Sequence, residues 1–385
     1  MGTPMRQLIL KIESRCNLSC DYCYVYESID QSWRRQPTVM SPETVGHVAR
    51  RIREHAAQQG IDGLEVVLHG GEPLLAGHEA VAATLGTLRD ALPGVQFLMQ
   101  TNGILIDEEF LELFHRFGVR VGVSVDGGQE ATDRHRRYAN GRGSYDRIAA
   151  GIAKLMRPEH AAVYNGLLCT IDVRNDPVEV YRALLEFRPP KLDLLLPHGN
   201  WTNPPPQRDQ ALRYAEWLVA VFDAWYDQRP APTRIRLFES IIARLFGLPS
   251  ETEAIGGEAL GIVTIETDGS YEQSDALKTT FEGGPATGLH VATHGFGDVL
   301  EHLARVAPAR LPSACEPCPV AAVCGGGLRA HRYAEPAGAA EAGLPDPSPH
   351  SAGFDNPSVY SDDLRALITH ITGRVRTDLA IGAAA

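Results

Sequence analysis

Six short runs of apolar and β-branched residues alternate with helical stretches through the first half of the chain, and this alternation limits the fold more than any other feature. The runs occupy residues 7–12, 64–69, 95–101, 119–125, 163–171 and 191–196. Ser41-Pro42-Glu43 opens the first helix with a capping residue, a proline at the first helical position and an acid in the first turn. Further helices are expected up to about residue 92, over 107–117, about 144–156, and near 178–187. Six strand–helix units in a row imply a parallel sheet with crossover helices, since a parallel neighbour is reached only by a long connection. Periodicity does not say whether that sheet closes. In such sheets the polar, glycine-rich segments at the strand C-terminal ends build the active site. Every unusual motif of the first half lies at one of those ends.

After Pro197 the pattern breaks. Asn203-Pro204-Pro205-Pro206 reads as a linker, 207–228 and 234–246 as amphipathic helices, and 262–324 as short-stranded and loop-rich. Residues 334–357, rich in Ala, Gly and Pro, read as a surface loop. The expected organisation is a barrel-type unit over 1–200, a linker and helical segment over 201–261, and a further domain over 262–385. The net charge of −12 disfavours a nucleic-acid backbone or an anionic membrane as principal partner. No apolar run reaches the roughly 18 residues of a membrane span, and the N-terminus lacks the apolar core of a signal peptide. A cytoplasmic protein is the expectation.

Seven cysteines sharpen the reading. Cys16, Cys20 and Cys23 are spaced C-x3-C-x2-C, and Cys315, Cys318 and Cys324 are spaced C-x2-C-x5-C. In a long, unsecreted chain such clusters point to metal or redox chemistry rather than disulfides. Each group is one thiolate short of a closed tetrahedral zinc site, and three thiolates also suit an iron–sulfur cube with one iron left open. Cys169, in the apolar stretch Tyr164-Asn165-Gly166-Leu167-Leu168-Cys169, reads as core.

The stretch Cys16-Asn17-Leu18-Ser19-Cys20-Asp21-Tyr22-Cys23-Tyr24, placed after a first strand, resembles the signature of the radical S-adenosylmethionine (radical SAM) enzymes. The resemblance implies a partial (β/α)6 TIM-like barrel and a 4Fe–4S cluster on Cys16, Cys20 and Cys23 whose open iron chelates S-adenosylmethionine. It places Tyr22 near the adenine and Gly70, Gly71, Glu72 and Pro73 at the methionine amino group. Ser124 and Arg136 resemble the pair contacting ribose and carboxylate. Gln100, Thr101 and Asn102 resemble strand-end residues lining the cofactor–substrate pocket.

The C-terminal part resembles the SPASM-type extension of peptide-modifying members, in which Cys315, Cys318 and Cys324 would hold a second, auxiliary iron–sulfur cluster. Cys324-Gly325-Gly326-Gly327, His331-Arg332-Tyr333 and Gly353-Phe354-Asp355-Asn356-Pro357-Ser358-Val359-Tyr360 look most like the FxsB group, whose members make three-residue cyclophanes in ribosomal peptides. Two departures stand out. Residues 267–275 contain no cysteine, so the extension is expected to be truncated and to lack a further cluster. Ser361 stands where a cysteine usually follows Val-Tyr, leaving Ser361, Asp362, His331, substrate or solvent as the fourth ligand, with zinc as the alternative for the whole site.

The resemblance implies a radical that removes hydrogen from a side-chain Cβ, which then bonds to an aromatic ring two residues earlier. The auxiliary cluster is the implied electron acceptor. Asp275 holds the place of the catalytic aspartate of sulfatase-maturing relatives and is the candidate base. A precursor peptide and an external flavodoxin- or ferredoxin-type electron donor are the implied partners. Thioether or formylglycine formation is the alternative activity, and an inactive cluster-bearing, peptide-binding scaffold the alternative class. With about six residues before the first strand, no separate leader-binding domain is expected.

Overall fold

Alternation along β1 (Gln7–Glu13) sends Leu8, Leu10 and Ile12 into the apolar core and leaves Gln7 and Ile9 on the face that lines an internal cavity. The same division runs through its neighbours in this computed structural model, which describes residues 5, 7–208, 212–257, 261–306, 311–336 and 353–384. The first half follows the expected order: α1 (Pro42–Gln59), β2 (Glu65–Gly70), α2 (His78–Ala91), β3 (Gln96–Thr101), α3 (Glu108–Phe117), β4 (Arg120–Ser124), α4 (Gln129–His135), α5 (Tyr145–Leu155), β5 (Tyr164–Thr170), α6 (Pro177–Glu186) and β6 (Lys191–Leu195). Ser41 Oγ accepts from the Thr44 amide to start α1, and Gly60 closes it at φ 63°, a left-handed position that glycine takes without strain.

α7 (Arg213–Tyr226) is shorter than the expected 207–228 helix, of which residues 209–211 lie outside the described residues. The helix expected over 234–246 is also corrected. Arg234 and Ile235 form β7 (Arg234–Ile235), because they pair with Lys191 and Leu192 at the open edge of β6, and α8 (Arg236–Leu245) follows at once. β8 (Ile262–Ile265), β9 (Ser270–Glu272), β10 (Ala286–His290), α9 (Phe296–Val306), α10 (Ala321–Cys324) and α11 (Ser361–Ala384) complete the chain. Of the expected surface loop 334–357, residues 337–352 lie outside the described residues.

Among the described residues ten strands join one sheet in the order β10-β9-β8-β1-β2-β3-β4-β5-β6-β7. The strands from β8 to β7 are parallel, and β9 and β10 add antiparallel. β7 and β10 end the order unpaired with each other, so the sheet is an open partial barrel. Its outer face carries the crossover helices. Its inner face borders a cavity of about 780 Å³. Among the described residues no helix is long and apolar enough to cross a membrane.

Candidate active site

Cys16, Cys20 and Cys23 lie on the loop leaving β1, over the C-terminal ends of β2 and β3. The Leu18 amide points at Cys16 Sγ (3.4 Å), and Asn102 Nδ2 donates to Asn17 Oδ1 (2.7 Å), fixing the loop to the end of β3. Burial pushes the Cys16 thiol up to about 12 and the Cys20 thiol up to about 11, and raises Cys23. Alone these are neutral thiols, so loading a cluster must displace their protons. The donor set is all sulfur and half-buried, which fits iron–sulfur ligation.

Gly70 and Gly71 let β2 run directly beneath that loop. A Cβ on Gly70, whose φ is 144°, would stand 2.0 Å from the Glu13 carbonyl oxygen. One on Gly71 would stand 1.9 Å from the Tyr26 hydroxyl and 2.4 Å from the Arg15 carbonyl. The close approach permits two backbone bonds of 2.9 Å, Gly71 amide to Glu13 and Glu72 amide to Arg15. Glu72 is fully buried and ties two strand ends together. Its Oε1 accepts from the Leu74 amide (3.1 Å) and Thr101 Oγ1 (2.6 Å), and its Oε2 from the Asn102 amide (2.7 Å). Burial pushes its carboxyl up to about 7 against these three donors. Pro73 starts the short turn that follows.

Asp126, at the end of β4, is a site residue that the sequence did not single out. It accepts from the Tyr22 hydroxyl, from Arg136 Nε (3.0 Å) and from the Thr170 amide (3.1 Å). Arg136 lies over the Tyr22 ring, 5.5 Å from its centroid, and both Asp126 and Arg136 are buried. Burial opposes the Arg136 charge, but Asp126 and Tyr22 outweigh it and hold the guanidinium well above its usual range. Of the basic run, Arg134 and His135 bind Asp172 instead, and His135 also binds Asp21. Gln100 Nε2 donates to Ser124 Oγ (2.8 Å) on the inner face, above Gly122, where a Cβ would stand 2.5 Å from Gln100 Oε1.

The cavity is lined near these strand ends by His69, Gln100, Leu196, His198 and His331. His198 Nδ1 and His331 Nε2 are 3.3 Å apart, and burial pushes His198 down to about 4. Asp275 is 8% exposed, so it is not a strand-edge carboxylate facing water. It pairs with Lys11 at 2.7 Å and is the charge felt most by Tyr24, His69 and His198.

Cys315, Cys318 and Cys324 group around a run of left-handed glycines, Gly325 to Gly327, whose three carbonyls all accept from Arg332. Of the expected fourth ligands, His331 faces His198 and Tyr360, and Asp362 pairs with Arg365 at 3.0 Å, 59% exposed; Ser361 begins α11. Among the described residues, three ligand atoms lie within 4.8 Å of one another only at Glu266, Glu272 and Asp275, a group already occupied by lysines; neither cysteine triad is so tight.

Residues 11–158, from within β1 to just past α5, match the Radical SAM superfamily, and the parallel sheet with its crossover helices has the radical SAM fold. That superfamily uses a 4Fe–4S cluster and S-adenosylmethionine. The chain is 24% identical over 264 residues to the serine-type anaerobic sulfatase-maturating enzyme of Bacteroides thetaiotaomicron, covering 63% of each chain. It is 26% identical to the cysteine-type enzyme of Clostridium novyi, covering 70% of this chain and 73% of that one. Among solved structures, anSMEcpe with bound AdoMet superposes with a TM-score of 0.79 at 19% identity, over 97% of this chain and 98% of its own, so the two share a fold.

Proposed function

We propose that this chain is a radical SAM oxidoreductase that modifies a ribosomally made peptide, joining an aromatic ring carbon to the Cβ of a residue two positions later. Peptide chemistry is supported by the likeness over 97% of the chain to anSMEcpe, also solved with AdoMet and the Cp18Cys peptide. When bound, the cluster on Cys16, Cys20 and Cys23 with S-adenosylmethionine supplies a hydrogen-abstracting radical, and a second cluster on Cys315, Cys318 and Cys324 an electron acceptor.

The chain's own residues orient and deprotonate. Tyr22, Gly70, Gly71, Glu72, Pro73 and Asn102 shape the floor on which the cofactor rests, with Thr101 bracing Glu72, and Arg136, Ser124 and Gln100 present polar groups from β3, β4 and the segment after α4. Asp275, paired with Lys11 beside the cavity-lining histidines His69 and His198, is the base for the proton that leaves the substrate. Burial disfavours the charged form of His69 and His198, so that wall adds no positive charge of its own. Crosslinking, rather than another peptide modification, rests on the FxsB-like segments, which bond to one another and to the chain just after β6: the Val359 amide donates to the His331 carbonyl (2.8 Å) and the Tyr360 hydroxyl to the Pro197 carbonyl (2.6 Å). The precursor peptide and an external flavodoxin- or ferredoxin-type donor complete the proposed system.

Formylglycine formation is the second reading, favoured by the relatives named above. Mass spectrometry separates the two. The peptide encoded beside the gene, co-expressed with the enzyme, should lose two hydrogens, with fragmentation blocked between an aromatic residue and the second residue after it. An aldehyde on that peptide or on Cp18Cys would replace crosslinking by formylglycine formation.

A further inference from the structure

Lys11 projects from the inner face of β1 into a group of three carboxylates from the C-terminal half of the chain. Its Nζ lies 2.6 Å from Glu266 Oε1, 2.7 Å from Asp275 Oδ1 and 3.5 Å from Glu272 Oε2, and all four side chains are buried. Lys278 closes the far side at 3.2 Å from Glu266 and 3.0 Å from Glu272. Lys11 is the ion-pair partner of Asp275 among the described residues, and Asp275 Oδ1 has no well-angled hydrogen bond beyond that pair.

We propose that Lys11 is the positioning residue of the site, fixing the Asp275 carboxyl group by their ion pair, while Glu266, Glu272 and Lys278 fix Lys11 in turn. The inference rests on Asp275 as the base. The charges of the group support it. Three carboxylates against two ammoniums leave one negative charge unbalanced in a buried space, where a lone charge is costly. Burial pushes Glu272 up, so that carboxyl keeps its proton and relieves the imbalance. Burial also opposes the Glu266 charge, but Lys11 and Lys278 outweigh it and hold that carboxyl low. The two close partners left for Lys11 are Glu266 at 2.6 Å, which anchors it, and Asp275 at 2.7 Å, which it positions. The other groups facing Asp275 are Tyr24 on the cysteine loop, His69 at the end of β2, His198 after β6, Glu253 before β8, and Lys278. None of them is paired with it.

The test compares Lys11→Met and Lys11→Arg in the iron-loaded enzyme, using the peptide encoded beside the gene. It records modified peptide and 5′-deoxyadenosine. Without the Lys11 ammonium the Asp275 carboxylate loses its ion-pair partner and its fixed place, so in Lys11→Met modified peptide per deoxyadenosine should fall about tenfold or more, and Lys11→Arg should restore the ratio. If Lys11→Met does not load iron, Lys11→Gln takes its place. A wild-type ratio in the neutral variant overturns the role of Lys11. Full peptide modification by Asp275→Asn overturns the reading of Asp275 as the base, a result that Lys11 variants alone do not produce.

Discussion

Asp126→Asn is an isosteric change that breaks a buried ion pair beside the cysteine loop. The carboxylate it removes lies 3.0 Å from Arg136 Nε, and both side chains are buried. At that separation and an effective dielectric of about 20, the attraction is about 5–6 kcal/mol. The net cost is smaller because the pair was itself desolvated, and breaking a buried pair from one side costs about 3–5 kcal/mol. Asparagine cannot repair the site. Its carbonyl can keep the bond from the Thr170 amide, but its amino group then faces the Arg136 N–H, donor against donor. Urea unfolding of the protein under anaerobic conditions should show a loss of about 3–5 kcal/mol. The double variant Asp126→Asn with Arg136→Met, which also removes the stranded charge, should recover at least about 2 kcal/mol of the summed single losses. A single-variant loss below about 1 kcal/mol, or additivity within about 0.5 kcal/mol, would refute the claim that these residues act as a pair.

Replacing Cys16, Cys20 or Cys23 with Ala should abolish deoxyadenosine formation with dithionite and S-adenosylmethionine while far-UV circular dichroism stays near wild type, because the loop lies outside the strands. Iron analysis after reconstitution should give about eight irons per chain; about four irons with one zinc would assign the C-terminal site to zinc. Glu72 gives a pH signature. Its folded carboxyl titrates near 7 against about 4.5 unfolded, so the folded state binds the extra proton between those values. Stability should therefore fall as pH rises from about 4.5 to 7, by about 3 kcal/mol at about 1.4 per unit. Glu72→Gln should flatten that slope whatever its absolute cost, and an unchanged slope would assign the titration elsewhere.

The strand–helix order was legible because each unit obeys a local rule: an apolar run, a turn, a capped amphipathic helix. The cysteine loop and Gly70-Gly71-Glu72-Pro73 were legible because their spacing and glycines have few other uses. Asp126 was hidden in Val125-Asp126-Gly127-Gly128, where an aspartate before glycines reads as a turn, and its partners Tyr22 and Thr170 are far off in sequence. Arg136 was singled out by resemblance alone, because local physics does not separate it from Arg134: burial does, and sequence does not report burial. β7 was missed because two residues carry no period, and their strand state comes wholly from pairing with Lys191 and Leu192.

The parallel pairing of β8 with β1 was the least legible step and has the widest consequence. The register sets Leu10 against Ile265, so the next residues, Lys11 and Glu266, meet as an ion pair. A slip of one residue would turn β8 over and send Glu266 to the apolar side. That register fixes where β9 starts and hence where Asp275 stands. β1 therefore works on both edges: toward β2 it sets the cysteine loop over Gly70 and Gly71, and toward β8 it sets Asp275 against Lys11. A lysine at an inward position of an interior strand is the one sequence signal of this arrangement, because such a charge is stable only with carboxylates brought to it by another strand.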